Sequence, residues 1–306
     1  MTQIPASVAW VFPGQGSQAV GMGRDLAARY PEAAALYAEA DAALGFSLSN
    51  LCWEGPEDLL TRTDNAQPAI LVTSIAHLTV LKAHFPEVLG LEKPAFVAGH
   101  SLGEYTALVA AGALGFAEAV RLVRERGRLM NEAGQGTSGM VAVIGGDDAL
   151  LEELCAETGA EMANYNSPGQ TAISGTKEAL ARFSEAAKAK GVKRVIPLSV
   201  SAAFHSSLMR PMAEELGKAI GKIEFQDASV PVVSNVTAKP LTSATEIVNE
   251  LILQTYSPVR WVEITRTMAA GGVTRFVEIG PGKVLTGLIK RIEKEAELVN
   301  SEDVLK

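Results

Sequence analysis

The pentapeptide Gly99-His100-Ser101-Leu102-Gly103 constrains what this chain can fold into more than any other stretch. An apolar run at 94–98 precedes it and reads as a buried strand; residues 104–111 follow with helical spacing. A serine at a strand-to-helix turn of this kind is held in a strained backbone conformation that projects its hydroxyl into a cleft. The glycines two residues to either side leave out the Cβ atoms that so tight a turn cannot hold. The N–H of Leu102, at the start of the helix, then points where an oxyanion forms. The same residues also fit a plain glycine-rich turn in which Ser101 caps the helix, so the surroundings must decide.

Those surroundings are an alternation of strands and helices. Residues 7–12 read as a short buried strand ending in the turn Pro13-Gly14-Gln15-Gly16-Ser17-Gln18, and helical patterns follow at 25–44, 68–83 and 116–130. Strands alternating with helices predict a parallel sheet covered on both faces, with ligands beyond the carboxyl ends of the strands, where both glycine-rich turns lie. After a glycine-rich hinge at 134–139 the rhythm changes. Strand 140–144, helix 148–157, strand 161–165, strand 171–174, helix 177–190 and strand 194–200 follow in the order βαββαβ. Two more strands of the main sheet are expected at 230–234 and 275–279, then a helix from Lys283. The fold class is therefore α/β. A large α/β-hydrolase-like domain with a mainly parallel sheet (1–132 and 202–306) is interrupted by an inserted ferredoxin-like subdomain (133–201).

Composition narrows the function classes. An apolar fraction of 47% and a charged fraction of 20% over 306 residues fit an ordinary globular chain. A net charge of −8 argues against nucleic acid as the main partner. Cys52 and Cys155 stand far apart, which suggests neither a disulfide framework nor a metal site. The start, Met1-Thr2-Gln3-Ile4-Pro5, lacks the basic region of a signal peptide, and the most apolar run, 70–81, is interrupted by Thr73, Ser74, His77 and Thr79. A cytoplasmic protein with no membrane partner is expected.

A serine hydroxyl is a weak nucleophile at neutral pH and needs a base within hydrogen-bond reach. Of the four histidines, His100 adjoins Ser101 and strand alternation turns it away. His77 and His84 lie seven apart on one predicted helix and read as packed or exposed helical residues. His205 sits in Ser199-Val200-Ser201-Ala202-Ala203-Phe204-His205-Ser206, a loop of small residues directly after a strand. Elimination makes it the candidate base, with a structural histidine as the alternative. Asp147 and Asp148, the only aspartates between Ser101 and His205, are better explained as a helix cap. A Ser–His dyad oriented by a carbonyl or amide is expected in place of a triad. Arg126 falls among Leu122 and Leu129 on one helical face, whereas Arg121, Arg124 and Arg128 read as solvated. A guanidinium on a half-buried face requires an anion, either a carboxylate of the protein or one on a substrate.

Taken together these residues resemble the malonyl-CoA:acyl carrier protein transacylases of fatty acid synthesis and the acyltransferase domains of polyketide synthases. The signposts are Phe12-Pro13-Gly14-Gln15-Gly16-Ser17-Gln18, the elbow continuing into Glu104, and Arg126-Gly127 with Met130. Further on come Asn164-Tyr165-Asn166-Ser167-Pro168-Gly169-Gln170, Ala203-Phe204-His205, Gln254 before Pro258-Val259-Arg260-Trp261, and Glu278-Ile279-Gly280-Pro281-Gly282. The resemblance covers essentially the whole chain. It implies Ser101 as nucleophile, His205 as base, and an oxyanion hole from the N–H groups of Gln15 and Leu102. It implies Arg126, Met130, Asn164, Asn166, Phe204 and Gln254 as substrate-binding residues, with Arg126 holding the malonyl carboxylate. A main-chain carbonyl near Gln254 would orient the histidine, and Phe204 matches a bulky position that accompanies malonyl over methylmalonyl selection. No cofactor and no metal are implied; malonyl-CoA and phosphopantetheinylated acyl carrier protein are substrates. The family's carrier is acidic, so Lys188, Lys190, Lys193 and Arg194, with Lys283, Lys290 and Arg291, are the candidate docking cations. An esterase or thioesterase on a similar elbow, and a non-catalytic carrier-binding protein, are the rival readings.

Overall fold

The structure, a computed structural model, describes residues 7–90, 93–134, 136–200 and 202–306. The start Met1–Pro5, Gln135 of the glycine-rich stretch and Ser201 of the His205 loop lie outside the described residues. In chain order the strands are β1 (Ser7–Phe12), β2 (Phe96–Gly99), β3 (Ser138–Ile144), β4 (Glu161–Ser167) and β5 (Gln170–Thr176). They continue with β6 (Arg194–Pro197), β7 (Val232–Val233), β8 (Pro240–Leu241), β9 (Val273–Glu278) and β10 (Glu297–Asn300).

Strand β1 dictates the centre of the main sheet, because its side chains are buried on both faces. Val8, Trp10 and Phe12 join the larger core and Ala9 and Val11 the smaller core on the opposite face. Burying a side chain such as Phe12 contributes roughly 1.5–3 kcal/mol. The sheet order is β10-β9-β1-β2-β7-β8, with every pair parallel except the edge pair β7–β8. The second sheet has the order β4-β5-β3-β6, with all neighbours antiparallel. Helices Asp148–Thr158 and Lys177–Ala189 pack with it around Val143, Leu154, Ile173 and Phe183. The segment before helix Trp261–Ala270 joins the second sheet at β4, where Val259 N–H donates to the Ala163 carbonyl and Tyr165 N–H donates to the Val259 carbonyl, both at 2.9 Å.

Several sequence expectations change for physical reasons. The helix expected over 25–44 is two helices, Arg24–Arg29 and Pro31–Leu44. Tyr30 is extended (φ −125°, ψ 108°), as a residue before proline prefers. The strand expected over 230–234 shrinks to β7, because Ser234 Oγ accepts the N–H groups of Val236 and Thr237 and turns the chain. Strand β6 stops at Pro197, although the Leu198 N–H still donates to the Met140 carbonyl of β3 at 3.0 Å. The glycine-rich stretch is taken up from both sides, Gly134 closing a helix and Gly139 lying in β3. Strands β8 and β10 were not anticipated.

Helix Thr63–His84 begins five residues earlier than expected, and Pro68 lies within it. Proline cannot donate to the Asp64 carbonyl four residues back. Arg124 Nη1 donates to that carbonyl at 2.6 Å, and Arg124 also pairs with the Asp64 carboxylate at 3.1 Å. Arg124 is thus a tie between two core helices and not a solvated charge. Among the described residues this 22-residue helix is the one long and apolar enough to cross a membrane, and it is mostly buried inside the fold.

The elbow helix, Leu102–Ala110, is pressed against β1 and β2. A Cβ on Gly103 would lie 2.1 Å from the Phe12 carbonyl oxygen, and one on Gly99 would lie 1.9 Å from the Gly103 carbonyl carbon. Both obstacles are backbone. Gly103→Ala is therefore expected to lower unfolding free energy by about 1–3 kcal/mol in urea titration. Gly287→Ala, on an exposed helical position with nothing within 4 Å, should raise it by about 0.5–1 kcal/mol. A neutral Gly103→Ala would mean that the elbow does not depend on this close approach.

Candidate active site

Ser101 has the backbone of a strained elbow, φ 52° and ψ −104°. His100 N–H donates to the Phe12 carbonyl at 3.1 Å, which brings the first glycine-rich turn beside the elbow. Asn235, just beyond β7, clamps the turn from the other side. Its Oδ1 accepts the Ser101 N–H at 2.8 Å and its Nδ2 donates to the Gly99 carbonyl at 2.7 Å. The helix behind Ser101 leaves the Leu102 N–H without an intrahelical acceptor.

The Ser101 hydroxyl lies 2.8 Å from His205 Nε2, and His205 Nδ1 lies 2.8 Å from the Gln254 carbonyl oxygen. A carbonyl only accepts, so Nδ1 carries the proton and Nε2 is left to accept from serine. His205 itself has positive φ, 58°. Burial, and then the neighbouring Arg126 charge, lower its pKa to about 3. Neutral imidazole is thus the resting form.

Arg126 is 1% exposed. Its Nη1 donates to Gln67 Oε1 at 2.8 Å; its Nη2 donates to Gln254 Oε1 at 2.9 Å and to Ser101 Oγ at 3.0 Å. The Tyr105 ring lies 5.3 Å away and Nε has no acceptor. All its hydrogen-bond partners are neutral. Of the two anions the sequence left open, a protein carboxylate is not in contact with the guanidinium among the described residues.

The expected residues converge on one cleft of about 360 Å³. It is lined by Gln15, Ser101, Leu102, Arg126, Met130, Asn164, Asn166, Phe204 and His205. Gln254 departs from its expected place. Its side chain is fully buried and held behind the cleft wall by Arg126, Ser101 and Glu104, so it does not line the cleft. His100 is not simply turned away. It lines the cleft and its Nε2 pairs with Asn166 Oδ1 at 2.8 Å. His77 is buried against Ser301 and His84 sits on the surface beside Glu32, both outside the site. Asp147 caps its helix through the Leu150 N–H at 2.8 Å. Sequence reasoning named Glu104 only as the continuation of the elbow, without a role, and missed Gln67, Asn235 and the mouth residues Val284 and Leu288. Asn235, in a Ser-Asn turn directly after an expected strand, offered a local signal.

Residues 9–305 match the acyl transferase domain family, and the chain belongs to that family. It is 47% identical over 304 residues to the malonyl CoA-acyl carrier protein transacylase of Bacillus subtilis (strain 168), covering 97% of this chain and 94% of that protein. It is 49% identical over 289 residues to the protein of the same name from Escherichia coli O157:H7, covering 93% and 92%. Among solved structures it resembles an acyl carrier protein S-malonyltransferase from Vibrio cholerae, with TM-score 0.93, 45% identity and coverage of 98% and 100%. It also resembles a malonyl-transacylase solved in complex with its type II polyketide synthase acyl-carrier protein, with TM-score 0.92, 44% identity and 96% coverage of both chains.

The depressed basicity of His205 has a direct readout. In imidazole NMR its ring should stay neutral from about pH 8 down to about pH 5, because both burial and Arg126 disfavour the charged form. A titration midpoint near the ordinary histidine value would contradict the geometry.

Proposed function

We propose that this acyltransferase moves the malonyl group of malonyl-CoA to the phosphopantetheine thiol of acyl carrier protein, in two stages through a malonyl-serine ester, for fatty acid synthesis. One observation carries the reading: Arg126 is a buried cation 3.0 Å from the Ser101 hydroxyl and its hydrogen-bond partners are all neutral. A planar guanidinium fork beside the nucleophile suits an acyl group with a free carboxylate. An esterase or thioesterase acting on neutral acyl chains has no use for it, and a non-catalytic carrier-binding protein has no use for the Ser101–His205 pair.

In the first stage Ser101 gives its proton to His205 Nε2 as Oγ attacks the thioester carbon. The oxyanion lies against the N–H groups of Gln15 and Leu102. Its collapse expels the coenzyme A thiolate, which takes the proton from His205. In the second stage the carrier thiol gives its proton to His205 and attacks the serine ester, and the departing serine oxygen recovers that proton. Base assistance of this kind contributes roughly 10²–10⁴-fold. Arg126 couples binding to this chemistry. Its charge lowers His205 basicity in the empty site, and a bound malonyl carboxylate offsets that charge, so basicity rises as substrate arrives.

The remaining assignments belong to the same reading. Asn164, Asn166, Met130 and Phe204 shape the acyl and pantetheine path, and Gln254 serves from behind the wall. Residues 133–201 form the inserted ferredoxin-like subdomain of an α/β-hydrolase-like domain (1–132 and 202–306). The exposed cations Lys188, Lys190, Lys193, Arg194, Lys283, Lys290 and Arg291 receive an acidic carrier; Arg291 is bonded to Gln170, which lines the cleft. No cofactor takes part. The enzyme works in the cytoplasm, where its free, buried Cys52 and Cys155 stay as thiols.

Two variants test the reading. Mixed with malonyl-CoA, the wild type should gain a malonyl adduct in intact-mass spectrometry and Ser101→Ala should gain none; an adduct on the variant would refute the nucleophile. Arg126→Ala should lose malonyl transfer by roughly a hundredfold, the loss of a buried charged contact, while acetyl transfer falls less or rises. Equal loss of both would make the arginine structural.

A further inference from the structure

Every polar group of Asn235 is engaged, and the residue is fully buried. Its side-chain Oδ1 accepts the Ser101 N–H at 2.8 Å and its Nδ2 donates to the Gly99 carbonyl at 2.7 Å. Its own N–H donates to Glu104 Oε1 on the elbow helix, and its carbonyl accepts the Arg260 N–H, both at 3.0 Å. The amide therefore spans the elbow from Gly99 to Ser101 while its main chain is anchored on two sides. It cannot be turned over, because one partner offers only a proton and the other only lone pairs. What it spans is strained: Ser101 has φ 52° and ψ −104°, a conformation that a residue with a Cβ leaves unless its surroundings hold it. The Ser101 N–H is also taken up by this contact, which leaves the Leu102 N–H as the elbow's donor to an oxyanion.

We infer that Asn235 is a positioning residue for acyl transfer, whose amide holds the Ser101 backbone in the strained conformation that aims Oγ at His205. Without it the elbow populates relaxed conformers and serine acylation slows in proportion. Binding is held separately, since Arg126 is fixed by Gln67 and Gln254 through bonds that do not involve Asn235. The fixed direction of the two amide bonds gives a second handle. An aspartate at 235 has the same shape. Ionised, it still accepts from Ser101 but sets a second acceptor against the Gly99 carbonyl; protonated, it donates to that carbonyl and restores both bonds. Glu104 on the elbow helix and Glu250, which accepts the neighbouring Val236 N–H from helix Ala244–Gln254, are the carboxyl groups beside this position, and burial with them raises the aspartate's pKa. The Arg260 side chain is turned to Glu263 on the surface. These groups, with His100, His205 and Arg126 around the elbow, are shared with the wild type, so the ratio of variant to wild type at each pH isolates position 235.

This inference rests on the malonyl-serine reading. The test measures malonyl-enzyme formation by rapid quench and intact mass for the full-length wild type, N235A and N235D, over a series of malonyl-CoA concentrations and from about pH 5.5 to about pH 9. At saturation N235A should acylate roughly ten- to a hundredfold more slowly at every pH, the loss of two buried hydrogen bonds, with the half-saturating malonyl-CoA concentration within about twofold of wild type. N235D should approach the wild type at the acid end and fall at least about tenfold behind it at the alkaline end. Acylation of N235A within about threefold of wild type, a loss confined to the half-saturating concentration, or an N235D ratio that does not change with pH would each overturn the inference. Should N235A not fold, N235D decides alone, because its protonated form keeps both bonds: a ratio rising as pH falls supports the inference, and a flat ratio refutes it. Failure of the underlying reading looks different, since the wild type would then form no adduct at Ser101.

Discussion

Gln254 makes four hydrogen bonds on which the arrangement of every reactive group depends. Its main-chain carbonyl accepts from His205, its side-chain oxygen accepts from Arg126, and its side-chain nitrogen donates to the Ser101 carbonyl and to Glu104. The carbonyl sets the imidazole tautomer, the amide oxygen holds the guanidinium, and the amide nitrogen pins the strained elbow. Because the residue is fully buried, none of these bonds competes with water. A histidine oriented by a neutral carbonyl also differs from one oriented by a carboxylate: no adjacent anion raises its basicity, and burial beside Arg126 lowers it. On the proposed malonyl-serine route, a substrate carboxylate offsets that deficit.

The charge arrangement follows from the cost of burying ions. A buried guanidinium with no counter-charge is strongly unfavourable, and a direct ion pair would occupy the fork that a substrate carboxylate needs. The Gln254 amide stands between Arg126 and Glu104, so that the Glu104 carboxyl does not take the guanidinium's hydrogen bonds. Gln67 completes the scaffold from the opposite helix, holding Arg126 through Oε1 and meeting Met130 Sδ through Nε2.

The parts of this design that were legible in the sequence are those whose cause is local. The elbow is written in two glycines around Ser101, and the exposure of Arg126 to an anion in its position among leucines. His205 emerged because three other histidines had plainer explanations. The break at Tyr30 was equally local and was overlooked. The scaffold was not legible, because its contacts join residues more than a hundred positions apart: Asn235 with Gly99, Gln254 with Glu104, His205 with Ser101. Arg124 looked solvated because the carbonyl it satisfies is freed by Pro68 on a different helix. No periodicity on one helix reports a vacancy on another.

The sheet topology explains why such distant residues meet. Strands β9, β1, β2 and β7 are adjacent and parallel, so their carboxyl ends open onto one edge. Gln15 follows β1, Ser101 follows β2, Asn235 follows β7, and the helix after β9 brings Val284, Leu285 and Leu288 to the mouth. His205 arrives by another route, on the segment returning from the antiparallel sheet. Its approach is fixed by the Val259 junction with Ala163 and Tyr165, and by Ser174 Oγ donating to the Phe204 carbonyl. Ser101 and His205 are therefore carried by segments that leave different sheets. Their 2.8 Å contact measures how well those segments are docked, and Gln254, five residues before Val259, is the point at which the docking is translated into the position of a single ring nitrogen.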